Sequence, residues 1–197
     1  MISYHCDSNT IIQDPFVNRK YKHGIRAYNS IMKGLTEKGH QVDVQILDNE
    51  VSTEFKKTIL DDWDATYQLV PPNVHQRNIA DKAIRIFKAD CISVLDGVYP
   101  NFPKLMSDNL LVQTELTINL IWLATLNPSM SAWEYFNDAF DFTATTLGTI
   151  GCKLIMHTTK NKLESWDHRE REGFSVGPAL EHYRCIQAIQ QDIYMYI

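Results

Sequence analysis

Two aspartates occupy positions at which an α/β chain can bring carboxylates together. Asp48 ends a segment in which Val44 and Ile46 alternate with polar residues, as in a half-buried strand, and Asp81 lies near the start of a long helical pattern. Strand ends and the starts of neighbouring helices meet at one edge of an α/β sheet. Carboxylates that meet there are suitable ligands for Mg²⁺ or Mn²⁺, and a pair of such ions can promote phosphodiester transfer.

Ordinary structural roles account for the same two aspartates. The pair Asp48-Asn49 is a common turn sequence. Asp81 follows the expected helix N-cap Asn78 by three residues, where an acid interacts favourably with the helix dipole. It can also pair with Arg85, one helical turn further on. Spacing alone therefore leaves a metal site and two local structural roles open.

A basic cluster surrounds the second aspartate. Arg85 and Lys88 share the predicted helix face of Asp81, and Lys82 and Arg77 lie close to it in the sequence. A site that acts on a polyanion needs acids to hold metal and basic residues to hold phosphates. A solvated helix face produces the same pattern, and the net charge of −5 argues against strong non-specific DNA binding by the whole chain.

Alternating strand and helix patterns predict the scaffold that positions these residues. The pattern begins with a hairpin over 1–14 and a helix over 19–38, followed by a strand from Val42 to Ile46. A short helix over 52–60 and a strand over 67–70 come next. Strands that alternate with helices indicate an α/β fold.

Two long helices and a β-rich end follow. One helix is predicted from Asn78 to Gly97 and another from about Pro103 to Leu126, with a short helix over 131–137. Segments 152–156 and 173–177 are typical of short strands in a small barrel. We therefore predict a first domain over 1–140, a connector over 141–150 and a small β-rich module over 151–197.

The sequence predicts neither a membrane span nor a signal peptide. The longest apolar candidate, Leu110 to Leu126, is interrupted by polar residues and falls short of the roughly 18 residues that a span requires. The first residues lack a basic region followed by an apolar core. We therefore expect an intracellular protein, cytoplasmic or nuclear, that has no membrane partner.

Five segments, in the same order, resemble the integrase of copia-type LTR retrotransposon polyproteins. Segment 68–85 reads QLVPPNVHQRNIADKAIR and is similar to the family's P-P-x-x-H-x-R-N-A-A-E-R-A-I-R motif. Segment 173–185 reads GFSVGPALEHYRC and is similar to G-W-Y-I-G-P-A-L-E-H-Y-R-C. The other three are 47–50, 116–132 and 139–142. The resemblance covers nearly the whole chain and implies an RNase H-like integrase core followed by a small SH3-like module.

The resemblance also implies roles for individual residues. Asp48 and Asp81 correspond to the second and third members of an Asp-Asp-Glu triad that binds Mg²⁺ or Mn²⁺ for DNA strand transfer. DNA is the implied partner, and a homo-oligomer is the implied assembly. The residues expected to contact nucleic acid are His75, Arg77, Lys82, Arg85 and Lys88.

Two departures from the family limit this expectation. The family's first aspartate lies on a strand before the hairpin at 1–14, so the core is expected to be incomplete at its first strand. Asp81 stands in place of a glutamate, and its carboxylate reaches about 1.5 Å less far. We therefore expect the chain as written to be inactive in strand transfer. The alternatives are a non-catalytic RNase H-like module that binds DNA or protein, and a decayed element without a function.

Overall fold

The computed structural model describes residues 1–16, 18, 21–71, 79–157, 168–190 and 193–196, except the side chains of Lys104 and 193–196. The chain divides into two compact units. The first comprises Met1–Lys88 with Ile118–Asp138, and the second comprises Ala89–Thr117 with Ala139–Ile197. The mixed α/β composition agrees with the predicted class, whereas the domain boundaries at 140 and 150 stay a prediction.

A β-hairpin opens the first unit, as predicted. Strands β1 (Ile2–His5) and β2 (Thr10–Gln13) are antiparallel, with Ile2 opposite Gln13 and His5 opposite Thr10. Asn9 in the turn has a φ of 59°, a left-handed conformation that asparagine tolerates better than most residues. The turn chemistry of the sequence therefore fixes the position of β1.

Helix α1 (Tyr21–Glu37) supplies most of the core of the first unit. Its apolar residues recur at helical spacing, so that one face of the helix is buried. This face packs against Leu47, Ile59, Ala65 and Phe136. The buried residues of α1 are Ala27, Tyr28, Ile31, Met32 and Leu35.

Strands β3 (Val44–Leu47) and β4 (Thr66–Leu69) form a parallel pair. A parallel pair requires a crossover connection, which here contains α2 (Thr53–Lys57) and a π-helical turn over Thr58–Asp62. Because β3 ends at Leu47, Asp48 is the first residue beyond the strand.

The two long helices differ in how well the sequence predicted them. Helix α3 (Ile79–Gly97) agrees with the prediction, apart from Asn78, which lies outside the described residues. The predicted helix from Pro103 to Leu126 is wrong at both ends: a 3₁₀ turn leads into α4 (Leu110–Ile121). The chain leaves α4 because Leu123 forms a β-bridge with Ser131 instead. None of the described helices is long and apolar enough to cross a membrane.

Helix α5 (Ala132–Asn137) completes the first unit, and the Ser131 hydroxyl caps it by accepting the Glu134 N–H at 3.0 Å.

In the second unit, four antiparallel strands form one sheet, packed around Phe102, Leu110, Val176 and Ile189. The strand patterns around 152–156 and 173–177 are confirmed, whereas the SH3-like assignment stays a prediction. The strands are β5 (Lys153–His157), β6 (Glu170–Pro178), β7 (Ile186–Gln190) and β8 (Ile193–Tyr196).

Candidate metal and nucleic-acid site

A cavity of about 750 Å³ in the first unit contains the two aspartates that the sequence singled out. Asp48 reaches it from the end of β3, and Asp81 reaches it from the first turn of α3. Both side chains are exposed. A strand end and a helix start thus line one cavity, which is the arrangement that an α/β fold favours for a binding site.

The local contacts of Asp48 are compatible with both roles that the sequence suggested, a turn residue and a metal ligand. Its Oδ1 atom accepts the N–H of Asn49 at 2.7 Å, so Asp48 does act as a turn residue. An ionised carboxylate has about four acceptor positions on two oxygens. A single backbone contact therefore leaves this carboxylate able to bind a cation as well.

Asp81 lies in the first turn of a helix and also lines the cavity. A carboxylate in the first turn of α3 is stabilised by the positive end of the helix dipole. The same position directs its short side chain toward the cavity that Asp48 lines. Its role in metal binding stays a prediction.

Three further acids, Asp7, Asp43 and Glu50, line the cavity and were not among the predicted ligands. Glu50 stands two residues after Asp48, which is a sequence signal, whereas only the tertiary fold brings the hairpin residue Asp7 to the cavity. Among the described residues, no three His, Cys, Asp or Glu side chains lie close enough to hold one metal ion between them. Binding of Mg²⁺ or Mn²⁺ therefore stays a prediction; Mg²⁺ often keeps several waters and uses only one or two protein carboxylates.

The predicted basic residues lie on the surface of α3. Lys82, Arg85 and Lys88 are exposed and do not line the cavity. They form a solvated helix face next to Asp81, which is one of the two interpretations that the sequence left open. The other two candidates, His75 and Arg77, lie outside the described residues.

His5 lines the cavity from the hairpin and packs against the ring of His40. Burial lowers the pKa of His5, the neighbouring His40 lowers it further, and Asp7 opposes the shift. The two ring centroids are 5.1 Å apart. The Nδ1 atom of His5 lies 2.7 Å from the Ser8 hydroxyl oxygen. The fold therefore favours the neutral form of His5.

We expect the first unit to lose stability as the pH falls below about 6.5, the ordinary pKa of histidine. The pKa of folded His5 is lower than that of unfolded His5, so the unfolded chain binds the proton first. The stability that neutral His5 contributes is complete above the unfolded pKa and declines as the pH falls toward the folded pKa. Urea unfolding between pH 5 and 7.5 measures this slope, which His5→Gln should reduce and His182→Gln, at an exposed position, should not. Equal slopes in all three proteins would contradict the expectation.

No family model matches the sequence, and no curated protein is similar enough to it to count as a match. Among solved structures, the fold is similar to a chain of the simian T-cell lymphotropic virus intasome in complex with the PP2A regulatory subunit B56 gamma. The two are 15% identical, with a TM-score of 0.55 over 100% of this chain and 68% of that chain. At this identity the likeness concerns the fold, which is integrase-like.

Proposed function

We propose that this chain is an integrase-like core module that binds a divalent cation through Asp48 and Asp81 and binds DNA through the adjacent basic face of α3. The observation that carries the proposal is that both carboxylates line one cavity of an integrase-like fold. The motifs around these residues support the finer assignment to an RNase H-like core of the copia-type retrotransposon family. Formation of a homo-oligomer belongs to the same proposal.

The carboxylates would hold Mg²⁺ or Mn²⁺ as a hydrated ion. When bound, such an ion supplies a positive charge that can polarise a phosphate oxygen. Asp48 and Asp81 are exposed, so the ion would keep much of its water and bind weakly. Because Asp81 is one methylene shorter than the glutamate of the family that the sequence resembles, we propose a module that binds DNA without transferring strands.

The basic face would contact the DNA backbone. Lys82, Arg85 and Lys88 recur at intervals of three residues along α3, so their side chains project from neighbouring positions on the helix surface. Long, exposed cationic side chains are suited to phosphates, which position a duplex without reading its sequence. The acidic net charge of the chain favours local contacts over a general attraction to DNA.

The metal site is tested by titrating the chain with Mg²⁺ and with Mn²⁺ in a calorimeter, alongside Asp48→Asn and a matched variant, Asp62→Asn, at another exposed aspartate. We expect Asp48→Asn to weaken binding at least tenfold, because the amide loses the charge that attracts the ion. Asp62→Asn should bind as the parent does. Asp81→Glu should bind more tightly, since the added methylene restores reach. Equal binding by the parent and Asp48→Asn would overturn the metal site.

The DNA interface is tested by fluorescence anisotropy with a short duplex at several salt concentrations. Each phosphate contact contributes about 0.9 to the slope of log K against log salt. Replacing Lys82, Arg85 and Lys88 together by alanine should therefore reduce that slope by about 3. A control variant with alanine at the exposed residues Lys22, Lys33 and Lys57 should keep it. A slope that is the same in both variants would exclude α3 as the interface.

A second candidate function is a non-catalytic RNase H-like module that binds protein. The observation that favours it is that residues of β1 and β3, as well as acids, line the cavity.

A further inference from the structure

Two aromatic side chains stand out from the surface of the second unit, and the proposed function uses neither of them. Phe142 is 64% exposed and Tyr183 is 70% exposed. Apolar residues that are exposed singly are common on protein surfaces. Phe142 and Tyr183, however, belong to two loops, 139–147 and 179–185, that are joined directly to each other.

Arg184 joins the two loops. Its backbone N–H donates to the Ala144 carbonyl at 2.7 Å, and its Nε donates to the Thr143 carbonyl at 2.9 Å. The same guanidinium lies over the Tyr183 ring, 5.4 Å from the ring centroid, which is within the range of a cation–π contact. Phe142 directly precedes Thr143, so both exposed aromatic residues are sequence neighbours of this junction.

The backbone of both loops is held in a defined conformation. Arg184 has a φ of 55°, a left-handed conformation that a residue other than glycine keeps only when its surroundings enforce it. In the other loop, the Oδ1 atom of Asp141 accepts the hydroxyl and the N–H of Thr143, at 2.5 Å and 2.8 Å. The Phe140 and Phe142 rings meet edge to face, with centroids 4.7 Å apart. A surface that is already ordered loses little conformational freedom when a ligand binds.

Acidic groups accompany the exposed rings. Asp141 lies between the two phenylalanines in the sequence, and Glu181 is exposed two residues before Tyr183. The hydrogen bonds from the Thr143 hydroxyl and from neighbouring backbone N–H groups lower the pKa of Asp141, so its carboxylate is ionised near neutral pH. The hydrogen bonds that Asp141 forms with the described residues fall on Oδ1, so Oδ2 retains acceptor positions for a cation.

These charges argue against nucleic acid as the ligand of the exposed rings. Proteins that stack bases on aromatic side chains place the rings in a positively charged groove. Here Arg184 is already bonded to the Thr143 carbonyl and stacked on Tyr183. The described residues of the second unit also contain more acidic than basic side chains. A cationic partner is therefore favoured over a polyanion.

The exposure of the two rings indicates what kind of polypeptide fits them. Rings as exposed as Phe142 and Tyr183 offer open faces rather than a deep pocket. A shallow site contributes little binding energy, so its ligand must lose little conformational entropy on binding. A polyproline II helix is largely ordered before it binds, and proline-rich segments of this kind dock on surfaces lined by aromatic residues. A run of prolines therefore matches the rings, and a flanking lysine or arginine matches Asp141 and Glu181.

We propose that Phe142 and Tyr183 form a docking surface for a proline-rich segment of another protein, with a lysine or arginine beside the prolines. The proline rings pack on the two aromatic rings, and the flanking cation pairs with Asp141 or Glu181. Arg184 is a positioning residue, because it joins the two loops that carry the rings. This docking uses neither the carboxylates of the proposed metal site nor the basic face of α3, so it goes beyond the proposed function.

The test uses the full chain, three fluorescein-labelled peptides, RPPPPPPR, EPPPPPPE and RGSGSGSR, and a labelled thymidine oligonucleotide. We expect RPPPPPPR to bind and the other three probes to bind at least tenfold more weakly, because each lacks the prolines, the positive charge or both. Binding should shift the amide NMR signals of residues 140–144 and 181–184. Failure of RPPPPPPR to bind, equal binding of RGSGSGSR, tighter binding of the oligonucleotide, or unmoved signals would overturn the proposal.

Single substitutions locate the surface. Phe142→Ala and Tyr183→Ala should each weaken RPPPPPPR at least tenfold, whereas Tyr21→Ala, at an aromatic residue of the first unit that is 53% exposed, should not. Asp141→Asn keeps the oxygen that accepts the Thr143 hydrogen bonds and removes the charge. It should weaken the peptide severalfold at low salt and less at high salt, because salt screens exposed charges. Equal affinity of Tyr183→Ala and Tyr21→Ala would exclude this surface.

Discussion

Replacing Asn119 by alanine should lower the free energy of unfolding of the first unit by about 2–6 kcal/mol. Asn119 lies on α4 and is 1% exposed. Its Nδ2 donates to the carbonyl oxygen of Ile11 at 2.8 Å, and its Oδ1 accepts the Ile11 N–H at 2.9 Å. The substitution leaves two buried backbone groups without partners, and each such group costs about 1–3 kcal/mol.

Urea denaturation followed by circular dichroism measures this loss. The matched control is Asn101→Ala at an exposed position, which should change the free energy of unfolding by less than about 0.5 kcal/mol. Because Ile11 belongs to β2, the partner of β1, the variant should also speed amide exchange along β1. A loss below about 1 kcal/mol would mean that water replaces the lost amide. The expected loss of stability gives a structural reason for an asparagine at position 119. This position lies in segment 116–132, one of the segments that resemble the integrase family.

Replacing Gly151 by alanine should destabilise the second unit by about 2–5 kcal/mol. Gly151 has a φ of +69°, a left-handed conformation that costs other residues about 1–2 kcal/mol. An added Cβ would lie 2.3 Å from the Cγ1 atom and 2.6 Å from the Cβ atom of Val98, so the core must shift. Forced overpacking typically costs about 1–3 kcal/mol more.

Two hydrogen bonds prevent Gly151 from relaxing easily. Its N–H donates to the Ser175 carbonyl at 2.7 Å, and its own carbonyl accepts the Tyr99 N–H at 3.0 Å. Gly34→Ala is the control, because a Cβ there meets nothing within 4 Å. In the interior of α1, alanine should raise stability by about 0.5–1 kcal/mol. Thermal unfolding distinguishes the two, and a neutral Gly151→Ala would show that the second unit adapts at this point.

Local patterns predicted the elements of the first unit with good accuracy. The hairpin over 1–14, helix α1 and strand β3 follow from apolar spacing and turn residues that lie within a few positions of one another. The end of α4 could not be predicted in this way. The apolar run continues past Ile121, but the bridge between Leu123 and Ser131 joins residues of a loop that only the folded chain brings together.

The sequence by itself determined that Asp48 follows a strand and that Asp81 opens a helix, because both positions depend on neighbouring residues. From this, the general geometry of α/β folds predicted that the two carboxylates lie near one cavity. Only the tertiary structure decided that Asp7 and Asp43 line the same cavity, together with residues of β1 and β3. Strand pairing and the lining of a cavity depend on contacts between distant segments, which a local pattern of residues does not record.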